Sequence, residues 1–289
     1  VPKAIRLLLV ALVLLSGAVA LAGPLEDASS RFALLDGAKV HYKSPGKGDA
    51  VVVLVDGSAC DLTFWSAQAG PLAARGRVLA LDLPGHGKSD APEVEYTMDL
   101  FARAVEVDLA DAKVKKAILV GHSMGTPVVR QVYRRSPSKV TALVAVDGTL
   151  RQFFDVPEQK VGFLAMFDGE KALENRTRMV ESMWSASTTP DVKEKVRGTM
   201  LAGSPRVVAS AMRGMLGDAV WREDSISVPL LLLLPSSPHW DEGYEASVRK
   251  LAPRAKLVRV AGTGHFLMLE KPAEFNAALL AFLGELPEG

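Results

Sequence analysis

The sequence predicts an α/β fold, a doubly wound and mostly parallel sheet with a helical cap inserted over one end. Three observations predict it. Short apolar, β-branched runs alternate with helix-spaced segments through the first half of the chain, as strands do when helices cover both faces of their sheet. One run, Ala117-Ile118-Leu119-Val120, leads directly into Gly121-His122-Ser123-Met124-Gly125, a strand-to-helix turn with a serine at its tip. The strand rhythm then stops from roughly Thr149 to Ser227 and resumes afterwards.

The first residues differ from the rest. Lys3 and Arg6 precede the apolar run Leu7–Leu15, and small residues follow, ending Ala20-Leu21-Ala22. A positive start, a short apolar core and an A-x-A ending read as a secretory signal peptide over residues 1–22, cut after Ala22, which makes the protein secreted or periplasmic. The run is shorter than the roughly 20 residues of a membrane span. No stable span is therefore expected once the leader is removed; the alternative is an uncleaved anchor.

Arg31–Leu35 and Lys39–Lys43 flank Asp36-Gly37, a pair that favours a tight hairpin, which places two antiparallel strands at a sheet edge. Ala50–Val55 is a continuous apolar run suited to a strand buried on both faces. Phe64–Arg75 has helical spacing, Arg77–Leu81 reads as the next buried strand, and Asp82–Asp90, with two glycines and a proline, as a loop. Tyr96–Ala112 reads as a helix, Lys116–Val120 as the strand feeding Ser123, Thr126–Arg135 as the helix behind it and Val140–Val146 as another strand. Helix-like stretches Glu170–Trp184, Asp191–Leu201 and Arg206–Leu216 then form the cap. They and their surroundings carry Met166, Met179, Met183, Trp184, Met200, Met212, Met215 and Trp221. Such stripes are more often plain core than pocket lining, although flexible thioethers also suit an adaptable apolar surface. The sheet resumes at Leu230–Leu234, followed by a helix over Tyr244–Leu251, a strand over Lys256–Val260 and a closing helix over Pro272–Leu283. The expected organisation is a leader at 1–22, a core at 23–148 and 228–289, and a cap at 149–227.

Composition narrows the function. With 48% hydrophobic residues there is material for one large core, and a formal net charge of +1 without a basic stripe argues against a nucleic-acid partner. Cys60 is the only cysteine, so no intramolecular disulfide can form. The histidines are scattered and no H-E-x-x-H or carboxylate cluster occurs, so neither a metal nor a cofactor is expected.

The turn around Ser123 points to nucleophilic catalysis. A serine hydroxyl needs a base within hydrogen-bond reach. Of the five histidines, His265 is the best candidate: it follows the last strand next to a glycine, and its late position gives the order serine, acid, histidine. The base needs a carboxylate to fix its tautomer. Two strand ends offer one, Asp147 after Val140–Val146 and Asp241 in the loop after Leu230–Leu234. Developing oxyanion charge needs backbone N–H donors, for which Met124, after the nucleophile, and Ser58, in the turn after Ala50–Val55, are best placed.

With these motifs in view, the chain resembles enzymes of the α/β-hydrolase fold from about Arg31 to Leu286. Three segments carry the resemblance: Asp82-Leu83-Pro84-Gly85-His86-Gly87-Lys88-Ser89, Gly121-His122-Ser123-Met124-Gly125 and Gly264-His265-Phe266. It implies Ser123 as nucleophile, His265 as base and hydrolysis of a small-molecule acyl substrate without a cofactor. Two positions depart from the family pattern. Asp56-Gly57 stands where relatives usually have His-Gly, and a carboxylate there opposes a developing negative charge unless it is neutralised or turned away. The usual Gly-x-x-Asp turn after the penultimate strand reads Pro235-Ser236-Ser237-Pro238, with Asp241 arriving late. A minority of relatives take the acid from the strand after the nucleophile helix instead, which favours Asp147. The expected function is an exported serine hydrolase of a small ester, thioester or lactone. The alternatives are a carbon–carbon bond hydrolase or cofactor-free peroxidase-like enzyme on the same triad, and a non-catalytic binding protein or sensor.

Overall fold

The structure is a computed structural model that describes residues 23–154 and 156–287; residues 1–22, the segment expected to be a leader, lie outside them. A short helix α1 (Pro24–Asp27) precedes the hairpin β1 (Arg31–Leu35) and β2 (Ala38–Lys43). Asp36 and Gly37 both take positive φ, 51° and 88°, the geometry of the tight turn that matches strand twist. Then follow β3 (Val51–Val55), α2 (Ser66–Ala73), β4 (Arg77–Leu81), α3 (Met98–Asp111), β5 (Ala117–His122), α4 (Gly125–Arg135) and β6 (Val140–Val146). Helices α5 (Pro157–Ala165), α6 (Ala172–Ser182), α7 (Pro190–Ala202) and α8 (Pro205–Met215) intervene before β7 (Leu230–Pro235). The chain closes with α9 (Glu242–Leu251), β8 (Lys256–Val260), α10 (Leu267–Glu270) and α11 (Pro272–Glu285).

The eight strands form one sheet in the order β1-β2-β4-β3-β5-β6-β7-β8. Only the β1–β2 and β2–β4 pairings are antiparallel; all the others are parallel. The sheet order reverses around β3, and helices pack as separate pairs, α3 with α4 and α2 with α11, the double winding that the sequence predicts. All five residues of β3 and all six of β7 are buried, which explains why these runs lack polar alternation.

Two elements differ from expectation. The helix expected over Phe64–Arg75 begins as a 3-10 turn, Leu62–Trp65, because the Asp61 carboxylate accepts the Thr63 N–H and tightens the entry. Helix α5 is an additional cap helix with no buried residue, so it has no apolar periodicity to reveal it; Pro157 at its first turn is the sole local signal.

The cap is joined to the core by polar clamps. Buried Arg176 of α6 donates to the carbonyls of Met200 and Gly203, tying α6 to the end of α7. On the core side, Arg130 and Arg134 of α4 hold the 220–224 segment that returns from the cap, donating to the Val220, Arg222 and Asp224 carbonyls and to the Asp224 carboxylate. The His265 N–H donates to the Met183 carbonyl at 3.0 Å, so the loop after β8 rests directly on the cap.

Candidate active site

Ser123 sits between the end of β5 and the start of α4 with φ of 52°, a left-handed conformation that costs energy for a residue with a side chain. The surroundings enforce it. A Cβ on Gly121 would lie 2.3 Å from the Gly125 carbonyl oxygen, and one on Gly125 would lie 2.4 Å from that of Val55. The G-x-S-x-G pattern is therefore a packing requirement: helix α4 approaches β3 and its own strand too closely for any side chain at either flank.

Asp147, at the end of the neighbouring β6, also has positive φ, 38°. Its Oδ2 lies 2.6 Å from His265 Nδ1, while its Oδ1 accepts the Trp240 indole N–H at 2.6 Å. The carboxylate is thus pinned from both sides and keeps the His265 Nε2 edge free for chemistry. Asp241 does something else. Its carboxylate accepts the Tyr244 N–H at 2.8 Å and caps the N-terminus of α9. The structure brings Ser123, His265 and Asp147 to one cavity and leaves Asp241 outside it.

Ser58 and Met124 line the same cavity, and no backbone hydrogen bond engages either N–H among the described residues. The Gly57 N–H, by contrast, is taken by the Asp56 carboxylate at 2.6 Å. Asp56 is turned away from the cavity to His122, whose Nδ1 lies 2.8 Å from Asp56 Oδ1. Burial alone would lower the His122 pKa, but the bond and charge of Asp56, the His265 carbonyl and the charge of Asp147 outweigh it and raise the pKa above the ordinary value.

The other histidines are accounted for. His41 pairs with buried Asp82, whose carboxylate also accepts the N–H groups of Leu62 and Lys88; the Asp82–Ser89 motif therefore holds a loop and supplies no reacting group. His86 is buried, with Nδ1 against the Pro84 carbonyl, and burial pushes its pKa down. His239 is exposed beside Phe153 at the cavity rim.

The cavity encloses about 410 Å³. Six of the eight cap methionine and tryptophan positions, all but Met166 and Trp221, line it, which corrects the expectation that this stripe is mainly core. The cap helices pack on one another, α6 on α7 and α5 on α8, and several of their apolar side chains also meet the cavity. Among the described residues its lining includes neither lysine nor arginine. Two functional contacts escaped sequence reasoning. Trp240 offers no motif, and Glu270, which accepts the Gly264 N–H at 2.7 Å and braces the His265 loop, reads as ordinary helix surface. Among the described residues no cluster of side chains could hold a metal, and no helix is long and apolar enough to cross a membrane.

A sheet of this topology, with a serine elbow and a histidine–carboxylate pair lining one cavity, is the framework found in hydrolases. Residues 52–278 match the model of the alpha/beta hydrolase family, and the chain belongs to that family. It is 28% identical over 272 residues to the dihydrolipoyllysine-residue acetyltransferase component of the acetoin cleaving system of Cupriavidus necator, covering 90% of this chain and 71% of that protein. It is 27% identical over 281 residues to a 2-hydroxy-6-oxononadienedioate/2-hydroxy-6-oxononatrienedioate hydrolase of Paraburkholderia phymatum, covering 90% and 97%. Among solved structures it is similar to a thermophilic esterase from Thermogutta terrifontis, with a TM-score of 0.77, 26% identity and coverage of 90% and 99%.

Proposed function

We propose that the protein is an exported serine hydrolase that cleaves a small, uncharged ester, thioester or lactone through an acyl-enzyme. The observation that carries this reading is the 2.6 Å contact of Asp147 with His265 Nδ1 at the cavity that Ser123 enters from its strained elbow. His265 Nε2 takes the Ser123 proton as Oγ attacks the acyl carbon, and the Asp147 carboxylate stabilises the imidazolium that forms. The N–H groups of Ser58 and Met124 receive the oxyanion. Collapse of the tetrahedral intermediate breaks the bond to the leaving oxygen or sulfur, which takes the proton from His265. Water, deprotonated by the same histidine, then releases the acid and restores Ser123. Export rests on the leader at 1–22.

The cavity supports the substrate class. Its wall is mostly apolar, with methionine and aromatic side chains prominent and neither lysine nor arginine among the described residues, so an acyl chain is solvated well and a carboxylate poorly. The relative from Paraburkholderia phymatum is named for dioate substrates, which favours carbon–carbon bond hydrolysis as a second reading. A dianion would meet neither lysine nor arginine in this cavity, and for that reason we place ester or lactone hydrolysis first.

The test is turnover of p-nitrophenyl esters of graded acyl length, and of a neutral lactone, by the mature chain and by Ser123→Ala. Activity in the parent with a loss of at least about 10⁴-fold in the variant supports the reading. Parent turnover of a dicarboxylic dienoate with all esters and lactones inert would transfer the assignment to the carbon–carbon reaction.

A further inference from the structure

A second buried histidine–carboxylate pair lies beneath the cavity, outside the three residues assigned to the reaction. Asp56 is 3% exposed and His122 fully buried. They stand at the ends of adjacent parallel strands, β3 and β5, and are linked at 2.8 Å. On its other edge, His122 Nε2 lies 2.9 Å from the backbone carbonyl oxygen of His265. Asp56 Oδ1 also accepts the N–H of Gly57, the residue before Ser58. One chain of hydrogen bonds therefore joins the turn that carries the oxyanion donor, the residue before the nucleophile and the backbone of the base.

The carbonyl partner fixes a proton on Nε2, and an ionised Asp56 places a second on Nδ1. A carbonyl oxygen can only accept, so His122 Nε2 carries a hydrogen. Asp56 Oδ1 already accepts one N–H, and an ionised carboxylate accepts a second from Nδ1. A ring donating from both nitrogens is an imidazolium. The titratable groups facing it are consistent with a positive charge. Asp56 meets it from the end of β3 and Asp147 acts on it from the end of β6, while the His265 ring lies 4.6 Å away, centroid to centroid. The Trp65 ring stands perpendicular to it with centroids 6.4 Å apart, and the Phe266 ring is tilted against it at 5.4 Å. Around Asp56, the titratable neighbours are Cys60, whose thiol is pushed up by burial and by Asp56, and His86, lowered by burial.

We propose that Asp56 and His122 form a standing carboxylate–imidazolium pair that positions the His265 loop and keeps the oxyanion turn free of net negative charge. Both are positioning residues: neither lines the reaction through its own side-chain chemistry, and the inference rests on the serine hydrolase reading above. An aspartate at the oxyanion turn would oppose the transition state if it stood alone. Paired with His122, it presents a dipole of zero net charge and holds the Gly57 peptide so that the next N–H, that of Ser58, faces the cavity. Loss of the His122 proton leaves the carboxylate uncompensated and converts Nδ1 into a second acceptor facing Oδ1. Turnover should then fall on the alkaline side.

Two measurements test the pair. The first is ¹⁵N NMR of the resting, histidine-labelled protein at pH 8, with the His122 signals identified by their loss in His122→Gln. Both ring nitrogens of His122 are expected to be protonated, whereas a ring protonated on Nε2 alone overturns the proposal. This readout does not depend on any substrate, so it stands even if the protein hydrolyses no ester. The second is the pH profile of Asp56→Asn. Asparagine keeps the shape but cannot balance an imidazolium, so kcat at pH 7–8 is expected to fall by about 10- to 100-fold. KM should stay within about twofold, because substrate contacts are unchanged, and the alkaline limb of the parent should disappear. A folded Asp56→Asn with the parent's kcat and alkaline limb overturns the proposal. So does a lowered melting temperature with those two properties intact, which would make the pair merely structural.

Discussion

Asparagine in place of Asp147 preserves the shape of the side chain but turns the base the wrong way round. Oδ1 of residue 147 accepts the Trp240 N–H at 2.6 Å, and Oδ2 accepts from His265 Nδ1 at 2.6 Å. An amide has one acceptor oxygen. Trp240 can only donate, and its indole is buried with its ring 4.6 Å from that of Tyr244, so it cannot swing away. The amide oxygen therefore stays with Trp240, and the NH₂ group faces His265. His265 Nδ1 must then accept, which moves the ring proton to Nε2, where it faces the serine and cannot receive the Ser123 proton. The loss of both the correct tautomer and the stabilising charge is expected to cost about 10⁴-fold in kcat, or roughly 5 kcal/mol of transition-state stabilisation. The assay is ester hydrolysis under saturating substrate, with circular dichroism and melting temperature to show that the variant is folded. Adding Trp240→Phe frees the amide to rotate its oxygen toward Nδ1, and the double variant should regain about tenfold. A folded Asp147→Asn within tenfold of the parent refutes the whole line of reasoning.

Two further outcomes follow from the same contacts. Asp241→Ala removes the cap of α9 and should lower stability by about 1 kcal/mol with kcat unchanged; a folded variant without activity would show that Asp241 serves the reaction. Asp224 governs acid stability. Burial raises its pKa, but the bonds and charge of Arg134 and the charge of Arg130 outweigh burial and hold it down to about 2. A depressed carboxylate contributes stability above its unfolded value near 4 and loses it as pH falls through the folded value. Asp224→Asn should therefore lower the melting temperature at pH 5 and narrow the gap from the parent as pH approaches 2. The expected difference is about 1 kcal/mol after allowance for the part of the side chain that faces water. Equal melting temperatures at pH 5 would mean that the clamp on the 220–224 segment contributes nothing.

Much of the core was legible because its signals are local. Strands such as β3 and β7 are buried on both faces, so they appear as unbroken apolar runs, and the Asp36-Gly37 turn declares its hairpin. The elbow is equally local, since Gly121 and Gly125 are required by backbone approaches within a few residues of Ser123 or from the adjacent strand. The cap was legible as an interruption but not in detail. Helix α5 buries no residue fully, only part of Phe163 and Leu164, so its sequence carries little periodicity, and the cap methionines look alike whether they face a core or a cavity.

By itself, the sequence determined the layered fold, the elbow with Ser123, the late His265 and two candidate acids, of which the resemblance favoured Asp147. The tertiary structure put Asp147 against His265 and Asp241 at the head of α9, contacts that depend on which distant donors reach each carboxylate. It alone also turned Asp56 from an apparent liability at the oxyanion turn into the partner of His122. The physical reason is that a carboxylate's role depends on which donors reach it. Those donors, Trp240 and His265 for one aspartate and His122 for the other, come from strands and loops far apart in the chain and meet only when the sheet is assembled.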